Sequence, residues 1–199
     1  MLKNKFIYFC IRLPRLFAEL PGAFFDAAAP YIWPSSMRDT IRILDPNPET
    51  RERFTDIVGE ALRTIAENDP LRFKRLQREI RTIVNMPVLT GAEYSRLFRV
   101  CSIDLRIFPL EESPKAAYAL LACALIHEST HGSLFTRRIV QNKRNHSRIE
   151  LICNKEMSRF APKANIAEKP WELWNQFEPT PFSERMKFLQ SEVKKLWTD

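Results

Sequence analysis

Residues 116–132 read AAYALLACALIHESTHG, and this stretch decides the fold. From 116 to 126 it carries no charge, and its alanines and leucines are strong helix formers. A helix without a polar stripe is covered on most sides, so it belongs at the centre of its domain. It runs into His127-Glu128-Ser129-Thr130-His131, an HExxH pattern. Two histidines four residues apart on a helix share a face, one turn apart, and can hold one Zn2+ together. Glu128 stands near enough to take a proton from an attacking water. Ser129 and Thr130 are uncharged, as a buried ligand helix requires, and Gly132 leaves room below a metal.

Two histidines do not complete a catalytic zinc site, which needs a third protein ligand beside its water. The sequence offers two. Glu150 follows His131 by 19 residues, on the next helix of the pattern, and His146 lies one turn before it. One of them binds the metal, and the other is left to orient a bound water or a transition state. All three histidines of the chain, His127, His131 and His146, fall within this one neighbourhood. Arg148, two residues before Glu150, is placed to orient a substrate carbonyl or carboxylate. Glu156 reads as a surface group or a supporting group behind the ligands.

HExxH followed by a glutamate at this distance resembles the gluzincins, the thermolysin-like and aminopeptidase zinc peptidases. The resemblance covers the helix–loop–helix frame at about residues 113–160, not the whole chain. The stretch RIELICNKEMSRFAP is more loosely similar to the ExxAxxFA glutamate helix of small metallopeptidases that cleave phage repressors. The resemblance implies His127, His131 and Glu150 as zinc ligands and Glu128 as general base. It also implies a sheet edge that holds an extended substrate, for which residues 98–108 are the candidate.

Outward from this frame the period changes. DPNPET opens an amphipathic helix in which Phe54, Ile57, Val58, Ala61, Leu62, Ile65 and Ala66 recur at three- and four-residue spacing. Asn68-Asp69-Pro70 stops it, and LRFKRLQREI reads as a second, basic helix. TIVNMPV (82–88) and FRVCSIDLRIF (98–108) are rich in β-branched and aromatic residues and read as two strands, joined through a segment containing Gly91. After a loop at 141–145, SRIELICNKEMSRF is helical, and WELWNQF with a last helix over 183–197 closes the chain. The expected fold is α+β: a mostly helical zincin-like domain, with a small sheet and a central HExxH helix. Residues 1–45 form a basic, apolar arm and a proline-rich joint (30–48), and residues 46–199 form the metallohydrolase domain.

Composition narrows the function further. The chain has 199 residues, 45% hydrophobic and 28% charged, which is ordinary for a folded protein. Its four glycines, Gly22, Gly59, Gly91 and Gly132, are too scattered for a P-loop or a dinucleotide fingerprint. Cys10, Cys101, Cys123 and Cys153 form no CxxC pair. Most lie in apolar runs, so they read as buried free thiols rather than zinc ligands, in a cytoplasmic protein. Residues 134–165 hold eight basic side chains against two acidic ones, out of a formal net charge of +7 for the whole chain. That excess suits an acidic substrate or partner better than nucleic acid, since aromatic interleaving and nucleic-acid motifs are missing. Residues 1–33, basic and aromatic, fit either a strap on the protein's own core or peripheral contact with a membrane surface. No window is long and uncharged enough for a transmembrane helix.

The expected function is a zinc-dependent hydrolase with one Zn2+ per chain, cleaving a peptide or protein substrate. The alternative is a non-catalytic zincin-fold protein that binds a membrane or an acidic partner through its basic face. The intact Glu128 favours the enzyme, because a purely structural site needs no base beside its ligands.

Overall fold

The computed structural model describes residues 35–166, apart from 39, 46, 87, 89–90, 97, 109–113, 140 and 143. The arm at 1–33, WELWNQF and the helix at 183–197 therefore lie outside the described residues. Strands β1 (Ser35–Arg38) and β2 (Ile41–Leu44) come first, then helices α1 (Arg51–Asn68) and α2 (Pro70–Glu79). Strands β3 (Thr82–Asn85), β4 (Ala92–Ser95) and β5 (Val100–Ile103) follow, with a 3-10 turn at Leu105–Ile107. Helices α3 (Pro114–Thr136) and α4 (His146–Phe160) and a second 3-10 turn at Ala161–Ala164 complete the described part. The fold is α+β.

One mixed sheet has the order β1-β2-β3-β5-β4. Its three inner strands β2, β3 and β5 run parallel, and the edge strands β1 and β4 are antiparallel to their neighbours. Ile43, Ile83 and Cys101 stand in one row across these inner strands and are sealed from solvent. That row faces the helical layer, and its apolar residues join one core with Phe54, Leu121 and Leu125. Two corrections follow. The stretch 30–48, read as a joint, carries β1 and β2, and Ile41 and Leu44 are fully buried. The strand expected over 98–108 is shorter and interior, so the sheet edge beside the HExxH helix is β4, not β5.

Local chemistry fixes the helix ends. Asp45, buried at the end of β2, accepts hydrogen bonds from Asn47 N (2.9 Å), Thr50 Oγ1 (2.8 Å) and Asn85 Nδ2 (2.8 Å). It thereby ties the start of α1 to β3. Asp69 caps α2, taking the Arg72 backbone N–H at 3.1 Å with Pro70 in the first helical position. Burial alone would raise the Asp69 carboxyl. Lys163 at 2.8 Å, the Arg72 N–H and the Arg72 guanidinium instead hold it down to about 2. Arg72 and Arg75 also reach Glu156 on α4, at 3.1 and 2.9 Å, and Glu156 pairs with Arg159. Glu156 is thus an ion-pair hub that clamps α4 to α2, away from the histidines.

The central helix α3 packs on α1, α2, α4 and β4. It is buried from Leu120 to Ile126 without interruption, as its lack of charge requires. Its end carries no glycine. Arg138 takes the left-handed conformation (φ 64°), donating its N–H to Phe135 O, while Ile139 N reaches Leu134 O. This is a Schellman closure with arginine where glycine is usual, at a conformational cost of about 1–2 kcal/mol. It turns the chain sharply back toward α4. No helix among the described residues is long and apolar enough to cross a membrane.

Gly132 has a different role from the one its place beside the histidines suggests. A Cβ there would lie 2.9 Å from Glu79 Cβ and 3.0 Å from the Tyr94 ring and hydroxyl. The glycine therefore lets α3 close on the end of α2 and on β4, rather than clearing space for a metal. Gly132→Ala is expected to destabilise the fold by about 1–3 kcal/mol, the usual cost of overpacking. Urea denaturation of the variant measures it, and unchanged stability would contradict the close approach.

Candidate metal centre

His127 and His131 leave α3 on the face that meets α4, and their Nε2 atoms are 3.1 Å apart. Glu150 arrives from the second turn of α4. Its Oε2 lies 3.3 Å from His127 Nε2 and its Oε1 3.5 Å from His131 Nε2. The placement follows from the pattern of α4. Ile149, Cys153, Met157 and Phe160 form its buried stripe against the rest of the fold, and Glu150 flanks that stripe. The short, strained turn at Arg138 and the reciprocal hydrogen bonds of Asn142 and Asn145 set where α4 begins.

These distances suit one metal ion. Ligand atoms about 2.0–2.1 Å from a tetrahedral zinc are separated by about 3.3 Å, close to all three separations observed. Glu150 meets the two histidines through different oxygens, so its carboxylate spans the pair at the rim of the site. The donor atoms of His127, His131 and Cys153 also lie within 4.8 Å of one another, so this buried group can hold a metal ion. Cys153 corrects the reading that set the thiols aside as metal ligands. The other described cysteines, Cys101 and Cys123, are buried free thiols as expected.

His146 stands at the rim, 58% exposed, with Nδ1 3.6 Å from Glu150 Oε1. The Gln141 side chain contacts both His146 Nδ1 and Glu150 Oε1, the latter at 3.3 Å. His146 and Gln141 thus hold the carboxylate from the solvent side. Arg148 is exposed on the first turn of α4 and makes none of the contacts above. Asn154, one turn beyond Glu150, lies close enough to the His127 imidazole to favour its charged form. Neither Asn154 nor Cys153 was expected at the site. Both lie three to four residues after Glu150, on the same helix face.

Glu128 is buried beneath the histidines and takes the Tyr94 backbone N–H of β4. Burial, reinforced by the charges of Glu150 and Glu93, pushes its carboxyl up to about 7 against the pull of His127 and Tyr94. Burial would lower His127, but its hydrogen bond to Glu150 and the nearby Glu128 charge hold it above the ordinary imidazole range. His131 falls to about 4, through burial first and then repulsion from His127. Glu150 is held low, chiefly by the His127 hydrogen bond. A carboxylate between two imidazoles, one of them kept neutral, is a donor set ready for a cation.

No protein-family model, curated protein or solved structure matches this chain.

Proposed function

We propose that the chain is a zinc-dependent hydrolase of the zincin kind, cleaving peptide bonds, with His127, His131 and Glu150 as ligands. The observation that carries the reading is the convergence of His127 and His131, their Nε2 atoms 3.1 Å apart, with one Glu150 oxygen 3.3 Å from the first and the other 3.5 Å from the second, and Glu128 buried alongside. Zinc in this site supplies Lewis acidity, lowering the pKa of a bound water and polarising the scissile carbonyl. Glu128 takes the proton of the attacking water and passes it to the leaving amine. The Tyr94 N–H holds the Glu128 carboxylate against β4.

Two further features support a peptide as the substrate. The strand that holds Glu128 is the sheet edge β4, and an edge strand offers backbone groups to an extended chain. Arg137, Arg138, Arg144 and Arg148 are all exposed on the α3–α4 turn and the start of α4, which favours acidic sequences by electrostatic attraction. The same arginines would serve a non-catalytic protein that binds an acidic partner. That reading leaves a buried carboxyl beside two histidines without a purpose.

The test is hydrolysis of a mixed peptide library. Activity is expected to vanish on chelation, to return with zinc, and to favour acidic peptides. Cleavage that persists in metal-stripped protein would contradict the reading.

A further inference from the structure

A catalytic zinc site has three protein ligands and one further position, and what takes that position decides whether the site is open. Cys153 lies one turn after Glu150 on α4, is fully buried, and packs with Leu134 and Ile149 at the seam between α3 and α4. Its Sγ is within 4.8 Å of the donor atoms of both histidines. A zinc–sulfur bond of about 2.3 Å would place the sulfur about 3.5 Å from each histidine nitrogen. A side-chain adjustment of little more than 1 Å therefore suffices. Glu150 is partly exposed and reaches the histidines from the rim, whereas Cys153 reaches them from the interior. The donor atoms that lie within 4.8 Å of one another are those of His127, His131 and Cys153, with Glu150 outside that group at the rim.

We propose that Cys153 is a fourth, displaceable ligand that closes the metal site in its resting state. The inference rests on the metal-site reading above. Four protein ligands make a closed site, and three with a water make a working one. On binding, the thiol loses its proton to solvent and the sulfur bonds to the metal. On release, the thiolate takes a proton back and water enters the vacated position. The site therefore has a latent form and an open form that differ in one metal–sulfur bond. Neither form needs an oxidant.

Cobalt(II) substitution of the full-length protein tests this by spectroscopy. The wild type is expected to show a near-ultraviolet thiolate-to-cobalt charge-transfer band together with tetrahedral visible bands. Cys153→Ala and Cys153→Ser should each lose the charge-transfer band while still binding cobalt. Cys101→Ala, Cys123→Ala and, at saturating cobalt, Glu150→Ala should keep it. At equal metal loading, turnover of Cys153→Ala should rise several-fold, because water no longer competes with sulfur. Cobalt uptake with visible bands but no charge-transfer band would overturn the role of Cys153 and leave the three-ligand site intact. No cobalt uptake at all would overturn the metal site itself. If the Cys153 variants fail to fold, the wild-type spectrum and the Cys101 and Cys123 controls decide. A fall in turnover of fully loaded Cys153→Ala would overturn the gating.

Discussion

Glu128→Gln is expected to lower hydrolysis by about 10²–10⁴-fold, the usual contribution of a general base, while zinc content stays at the wild-type value. The substitution removes the proton acceptor and deletes no ligand. It should not harm the fold either, because burial holds the native carboxyl up to about 7, where a neutral amide is a fair replacement. The same observation fixes a pH dependence in the metal-free protein. A carboxyl raised in the folded state from 4.5 to about 7 adds most to stability at low pH. That contribution is complete below about 4.5 and is lost as pH rises through about 7. The difference amounts to roughly 3 kcal/mol. Metal-free wild type should therefore lose about that much relative to Glu128→Gln between pH 4.5 and pH 8. Denaturant titrations of both proteins at the two pH values measure it, and parallel pH profiles would show that Glu128 is not buried as described.

Glu150→Ala and His146→Ala should separate by what they do to the metal. Structural zinc sites bind with roughly 10–16 kcal/mol, so one of four ligands carries about 3 kcal/mol, or more than a hundredfold in affinity. Glu150→Ala should lose at least that much. His146 is largely exposed and touches the site through the Glu150 carboxylate, so its loss should cost no more than about 10–100-fold in affinity or activity. Zinc titration with a competing chelator measures both. Loss of metal in His146→Ala and its retention in Glu150→Ala would reverse the assignment and make the site a three-histidine one.

The sequence was most informative where a pattern is long. In α1, Phe54, Ile57, Val58, Ala61, Leu62 and Ile65 all face the core at the spacing their periodicity implies. The uncharged run before His127 is buried as a charge-free helix must be. The sheet was only partly legible, because its strands are four residues long and SSMR or AEYS shows no usable alternation. FRVCSIDLRIF, read as one strand, ends at Ile103, where Asp104 is buried and bound to Arg106. The end of α3 was hidden for a different reason. Arg138 closes the helix in a conformation usually left to glycine, so no glycine marks the stop.

At the site, His127, Glu128, His131, Glu150 and His146 were all legible, and α3 and α4 bring them together. Cys153 was not, because a thiol within an apolar run reads as packing until the partner helix is in place. Gly132 was misread for the complementary reason: what it makes room for comes from α2 and β4, both distant in sequence.

Zinc binding to the purified, folded protein tests the account most directly, by elemental analysis together with calorimetric titration of the metal-stripped chain. About one zinc per chain is expected, tightly held and lost in His127→Ala and His131→Ala. A well-folded chain that takes up no zinc, or binds it unchanged without those two histidines, would contradict it.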